Sequence, residues 1–97
     1  MTHEIIQQDI RLLAQNIVDK AQHKTMMVAL AESCTGGMIA AALTDISGSS
    51  AVLDRGFVTY SNHAKIDVLG VKNTTLDQHG AVSEQTARAM VDGTLNA

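Results

Sequence analysis

The sequence predicts an α/β domain. Three observations carry that reading. An apolar run of strand length, residues 25–31, is followed by a glycine-containing turn and a helix-prone stretch. A second strand-prone run, residues 54–60, again leads into a helix. Ahead of both lies a segment with helical periodicity.

That first segment, residues 4–22, reads as an amphipathic helix. Ile6, Ile10, Leu13, Ile17 and Ala21 recur at helical spacing and predict the buried stripe, with Arg11, Gln15, Asp19 and Gln22 largely on the other side. Residues 25–31, Thr-Met-Met-Val-Ala-Leu-Ala, suit a strand buried on both faces. Glu32-Ser33-Cys34-Thr35-Gly36-Gly37 turns the chain, and Met38 to Leu43 has the small and unbranched residues of a helix. Asp45 to Ser50 reads as a loop. Phe57, Val58, Thr59 and Tyr60 dominate the second strand. Ser61 or Asn62 can cap a helix that runs to Leu69, with Gly70 beyond its end. Residues 74–79 add one or two helical turns closed by Gly80. Ser83 caps a last helix whose apolar face is expected at Ala87, Val91 and Leu95.

At 97 residues the chain has the length of one domain, with 45% hydrophobic and 18% charged residues. That mix argues against disorder. Aromatic residues are 2% of the chain, Phe57 and Tyr60, too few for base-stacking platforms. The formal net charge is −3, from 7 Lys+Arg against 10 Asp+Glu, with no basic block to neutralise phosphates. No nucleic-acid partner is expected. The apolar stretch from Met26 to Ala31 is far short of a membrane span, and the first residues lack a signal pattern. A single cysteine, Cys34, makes no internal disulfide and suits a reducing cytoplasm. Two strands alone leave parallel-sheet edges unpaired, which points to part of a larger domain or to a sheet completed by partnering.

Two places can carry chemistry. At Ser33-Cys34-Thr35-Gly36-Gly37 a strand ends and a helix begins, so free N–H groups and three oxygen- or sulfur-bearing side chains collect where open α/β sheets bind ligands. The same residues also suit an ordinary helix cap and glycine turn. At Tyr60-Ser61-Asn62-His63-Ala64-Lys65, Tyr60 closes the second strand and Lys65 lies one turn into the next helix. The macrodipole disfavours a cation there, and a neutral lysine amine can act as general base to a serine. The ordinary reading of the same residues is a solvated lysine and a half-buried tyrosine. Cys34 is a second candidate nucleophile, with His63 or His79 as partner, or else a small buried thiol. The four histidines show no metal-ligand spacing, so no metal is expected. Gly48-Ser49-Ser50 can offer hydroxyls and amides to a phosphate, or simply turn the chain.

Together these segments resemble a known family. Ala29 to Gly37 reads ALAESCTGG, and Gly48-Ser49-Ser50-Ala51, Arg55 to Asn62 (RGFVTYSN), Ala64-Lys65, Leu69-Gly70-Val71 and His79 to Ser83 follow in order. In order and spacing they are similar to the C-terminal domain of the competence/damage-inducible (CinA) proteins across about residues 25–93, and most of all to the stand-alone nicotinamide mononucleotide deamidases. The resemblance implies a three-layer α/β/α domain, usually a homo-oligomer. It implies hydrolysis of nicotinamide mononucleotide to nicotinic acid mononucleotide and ammonia in pyridine nucleotide recycling, without cofactor or metal. It maps the catalytic serine, tyrosine and lysine onto Ser33, Tyr60 and Lys65. Cys34, Thr35, Gly36, Gly37, Ser49 and Ser50 become candidate substrate-binding residues, with the amides of residues 35–37 expected to hold an oxyanion or the substrate phosphate.

Family domains are longer, and their second half carries a glycine-rich Thr-Gly-Ile-Ala-Gly-Pro type segment that also lines the site. No such segment occurs here, and there is no proline in the chain against a usual share of about 5%. Residues 1–97 are therefore expected to form a single CinA C-terminal-like domain lacking its C-terminal portion. The alternative function is a non-catalytic fragment that binds a nucleotide or itself.

Overall fold

The computed structural model describes residues 2–97. Its elements, in chain order, are α1 (Thr2–His23), β1 (Val28–Glu32), α2 (Met38–Thr44), a 3-10 turn (Ser49–Ala51), β2 (Leu53–Val58), α3 (Asn62–Leu69), α4 (Asn73–His79) and α5 (Glu84–Asn96). β1 and β2 form a two-stranded sheet. The Val28 N–H donates to the Val52 carbonyl at 2.7 Å and the Thr59 N–H to the Glu32 carbonyl at 2.9 Å, which fixes the pairing as parallel. This is the α/β architecture expected. Among the described residues no helix is long and apolar enough to cross a membrane.

The chain divides into two compact units. The first holds the residues up to Val28 together with Met38–Arg55; the second holds Ala29–Gly37 and Gly56–Ala97.

In the first unit α1 lies against α2. Of the five residues of the expected stripe, Ala21 is buried and the other four are not. Ile6, Ile10, Leu13 and Ile17 are exposed, and the buried residues of α1 are Ala14, Val18 and Ala21. The helix ends two residues before the predicted strand begins. Thr25 takes a left-handed φ of 55°, the Met26 N–H reaches the Ala21 carbonyl at 2.9 Å, and the Thr25 N–H reaches that of Gln22 at 3.2 Å. This is a Schellman-type stop with threonine where glycine usually stands. It takes Thr25 and Met26 out of the strand, leaves Met26 and Met27 exposed, and delays β1 to Val28. β1 is only partly buried, because it has one neighbouring strand rather than two.

The second unit is built around Leu69, Val71, Leu76 and Met90, with Ala31, Phe57, Ile66 and Ala89 packed on them. Its helix ends are set by the caps read from the sequence. Ser61 Oγ accepts from the Ala64 N–H at 3.0 Å, Gly70 closes α3 with φ 69°, and Ser83 Oγ accepts from the Thr86 N–H at 3.1 Å. α5 turns Thr86 and Met90 inward, whereas the expected Ala87, Val91 and Leu95 are exposed. Thr86 tolerates full burial because its hydroxyl donates to the Gly80 carbonyl at 2.6 Å. α5 meets α3 at Gly93, where a Cβ would collide with the Leu69 carbonyl oxygen and stand 2.8 Å from its carbonyl carbon.

Candidate active site

The turn after β1 begins with a buried acid. Glu32 is 2% exposed. Its Oε1 accepts from Thr35 Oγ1 at 2.7 Å and from the Gly37 N–H at 3.2 Å. The Gly36 N–H donates to the Ser33 carbonyl at 3.0 Å. Gly36 and Gly37 hold φ values of 61° and 106°, successive left-handed positions that residues with a Cβ rarely occupy. A Cβ on Gly36 would meet nothing within 4 Å, so conformation rather than space calls for glycine there.

β2 delivers the other side of the site. After Thr59 pairs with Glu32, the chain leaves the sheet at Tyr60 and enters α3 through the Ser61 cap. Helical side chains lean toward the N-terminus, which returns the Lys65 amine to the residue ahead of the cap. Lys65 is 1% exposed, and its Nζ donates to the Tyr60 carbonyl at 3.0 Å. Ser33 Oγ donates to the same carbonyl at 3.4 Å. Hydroxyl and amine thus share one acceptor, and lie no further apart than those two bonds end to end. The shared atom belongs to the main chain of Tyr60, and Tyr60 itself is 72% exposed.

The other candidates fall as follows. Cys34 is exposed, so it is not the buried thiol that its residue type also suited. Thr35 turns its hydroxyl to Glu32. Of the three amides expected to face substrate, those of Gly36 and Gly37 are donated within the turn. Ser49 and Ser50 belong to the first unit. Ser49 is buried and its hydroxyl donates to the Thr44 carbonyl at 3.4 Å, while Ser50 is exposed. A groove of about 730 Å³ in the second unit is lined by residues of α3, α4 and α5 and of the chain flanking them, including Asp67, Lys72, Asp92 and Gly93, and includes none of Ser33, Tyr60 or Lys65.

Glu32 is the residue that motif reading left without a role. The available signal was an acid where the apolar run of a strand should continue, directly before Ser-Cys-Thr-Gly-Gly.

Beside the site, the Thr59 hydroxyl is buried without a hydrogen-bond partner. An unpaired buried hydroxyl has lost its water and gained nothing in return. Thr59→Val is therefore expected to leave the urea midpoint unchanged or raise it. A clear fall would show that the hydroxyl does bind something.

The model of the CinA C-terminal domain matches residues 10–97. The chain belongs to the CinA C-terminal domain family. Among relatives of this CinA-family chain, the nicotinamide-nucleotide amidohydrolase PncC of Enterobacter agglomerans is 62% identical over 74 residues, 76% of this chain and 45% of that protein. A CinA-like protein of Shewanella pealeana is 52% identical over 89 residues, 92% of this chain and 21% of its own length. The competence/damage inducible protein CihA from Agrobacterium tumefaciens superposes with a TM-score of 0.86 at 58% identity, covering 91% of this chain and 53% of that one. A CinA superfamily protein from Escherichia coli gives a TM-score of 0.86 at 32% identity, covering 90% and 51%. The chain thus spans about half the length of PncC and of these solved relatives.

Proposed function

We propose that this CinA-family chain carries the nucleophile and base of an amidohydrolase that converts nicotinamide mononucleotide to nicotinic acid mononucleotide and ammonia. The observation that carries the proposal is the meeting of Ser33 Oγ and Lys65 Nζ on the Tyr60 carbonyl. The 62% identity to a protein named nicotinamide-nucleotide amidohydrolase, over 45% of that protein, supports this choice of substrate.

In the proposed reaction Ser33 Oγ attacks the carboxamide carbon while Lys65 acts as general base and takes the hydroxyl proton. The proton passes to the departing nitrogen, which leaves as ammonia. Water then attacks the acyl-serine with Lys65 again as base, the bond from the acyl carbon to Ser33 Oγ breaks, Lys65 returns the proton to that oxygen, and the carboxylate product is released. Tyr60 positions the Lys65 amine through its carbonyl, beside which the Ser33 hydroxyl lies, and its exposed ring is available to the substrate at the mouth of the site. No step calls on a cofactor or metal. The proposal places the chain in the cytoplasm, in pyridine nucleotide recycling, as one portion of a CinA domain acting within a homo-oligomer.

A second reading is a non-catalytic fragment. The exposed Ile6, Ile10, Leu13 and Ile17 and the two-stranded sheet favour it, since both are surfaces that association covers.

Ammonia and nicotinic acid mononucleotide formation, measured on the chain and on Ser33→Ala, separates the readings. Ser33→Ala is expected to lower turnover by more than about 10³-fold, beyond the usual cost of losing one oxyanion donor. Activity that survives in Ser33→Ala and disappears in Cys34→Ala would move the nucleophile to Cys34. A folded wild-type chain without turnover would favour the fragment.

A further inference from the structure

We propose that Glu32 is a positioning residue for the Ser33 nucleophile, its buried carboxylate clamping the turn that sets the serine beside Lys65. This rests on the reading of Ser33 as nucleophile.

The bond from Ser33 Oγ to the Tyr60 carbonyl is 3.4 Å, too long to fix the hydroxyl by itself. The serine is placed by its backbone, and Glu32 holds that backbone from three directions. The Glu32 carbonyl takes the Thr59 N–H, which anchors the strand residue just before Tyr60. The Glu32 side chain takes the Thr35 hydroxyl and the Gly37 N–H, which anchors the turn two and four residues beyond Ser33. A turn with two left-handed glycines has many alternative conformations, so an anchor at its far end restricts it most. Burying a carboxylate costs free energy unless hydrogen bonds compensate, and bonds to an ionised acceptor are the strong ones. An apolar residue at this strand end would bury more cheaply but would leave the Gly37 N–H and the Thr35 hydroxyl without this acceptor.

The test reads Ser33 reactivity with phenylmethylsulfonyl fluoride by peptide mass spectrometry, with Ser33→Ala as the blank. In that reaction an Oγ–S bond forms, the S–F bond breaks, fluoride departs, and the hydroxyl proton goes to the base. Glu32→Gln keeps the shape and one acceptor oxygen but removes the charge. The expected result is Ser33 modification slowed about 10- to 10²-fold per folded molecule, the scale of a misplacement of about 1 Å. A Ser33 rate in Glu32→Gln equal to wild type, or a wild-type Ser33 that does not react, overturns the proposal. Should Glu32→Gln not fold, Thr35→Val removes the 2.7 Å bond from the other side, and the same slowing is expected; an unchanged rate overturns the proposal there too. Slowed modification together with no turnover of nicotinamide mononucleotide upholds the positioning role and defeats only the substrate assignment.

Discussion

Lys65→Met is expected to lower turnover by about 10²–10⁴-fold, the contribution of a positioned general base, while leaving the melting temperature unchanged or higher. The two signs come from the same burial. Lys65 is the largest of the fully buried side chains, and its amine has one neutral acceptor, the Tyr60 carbonyl. A lysine amine has more hydrogen-bonding capacity than that single bond uses, and each unused polar site taken from water is a cost. Methionine fills similar space with an unbranched, adaptable chain and no such demand. A side chain kept for stability would behave in the opposite way, since removing it would lower the melting temperature and spare the rate. Thermal melts by circular dichroism and the ammonia assay on the same samples decide between them. Loss of both would assign Lys65 to the fold.

Gly93→Ala is expected to destabilise the chain by about 3 kcal/mol, near the upper end for overpacking. In an exposed helix the same change stabilises by about 1 kcal/mol, because alanine is the better helix former. At Gly93 the added methyl would enter the Leu69 carbonyl group, which is backbone and has no rotamer to yield. The collision outweighs the propensity gain and forces α5 away from the end of α3. For a chain this small, about 3 kcal/mol is a large fraction of the total stability of roughly 5 kcal/mol or a little more. A urea titration reads the change as a lower midpoint. A higher midpoint would mean that α5 stands further from α3 than described.

Element boundaries were legible wherever a residue has a local reason to be there. Ser61, Gly70, Gly80 and Ser83 mark helix ends through bonds and angles that involve only near neighbours. Burial was not legible, because it depends on what arrives from elsewhere. Of the stripe expected on α1 only Ala21 is buried; the isoleucines and Leu13 are exposed, and Ala14 and Val18 take the other buried positions. α5 repeats the lesson with Thr86, a polar residue that is fully buried because the Gly80 carbonyl is within reach. In the site, Ser33 and Lys65 were legible as residue types in a spaced motif. Glu32 was not, because its role lies in where its carboxylate points rather than in what it is. The motif implies free donors at the Gly36 and Gly37 amides, but the Glu32 carboxylate takes the Gly37 N–H and the Ser33 carbonyl takes that of Gly36.

The pivot of the site is a carbonyl oxygen of the peptide backbone, and every amino acid carries one. Side-chain replacement at position 60 therefore cannot remove the atom on which serine and lysine converge. Saturation mutagenesis there reports on the phenol ring and is blind to the pivot. The atom is reached only by editing the backbone, for instance by turning the peptide bond between residues 60 and 61 into an ester, whose carbonyl is the weaker acceptor. A site hung on such an atom gains protection from point mutation at that position, and moves its genetic vulnerability to the residues that aim the backbone.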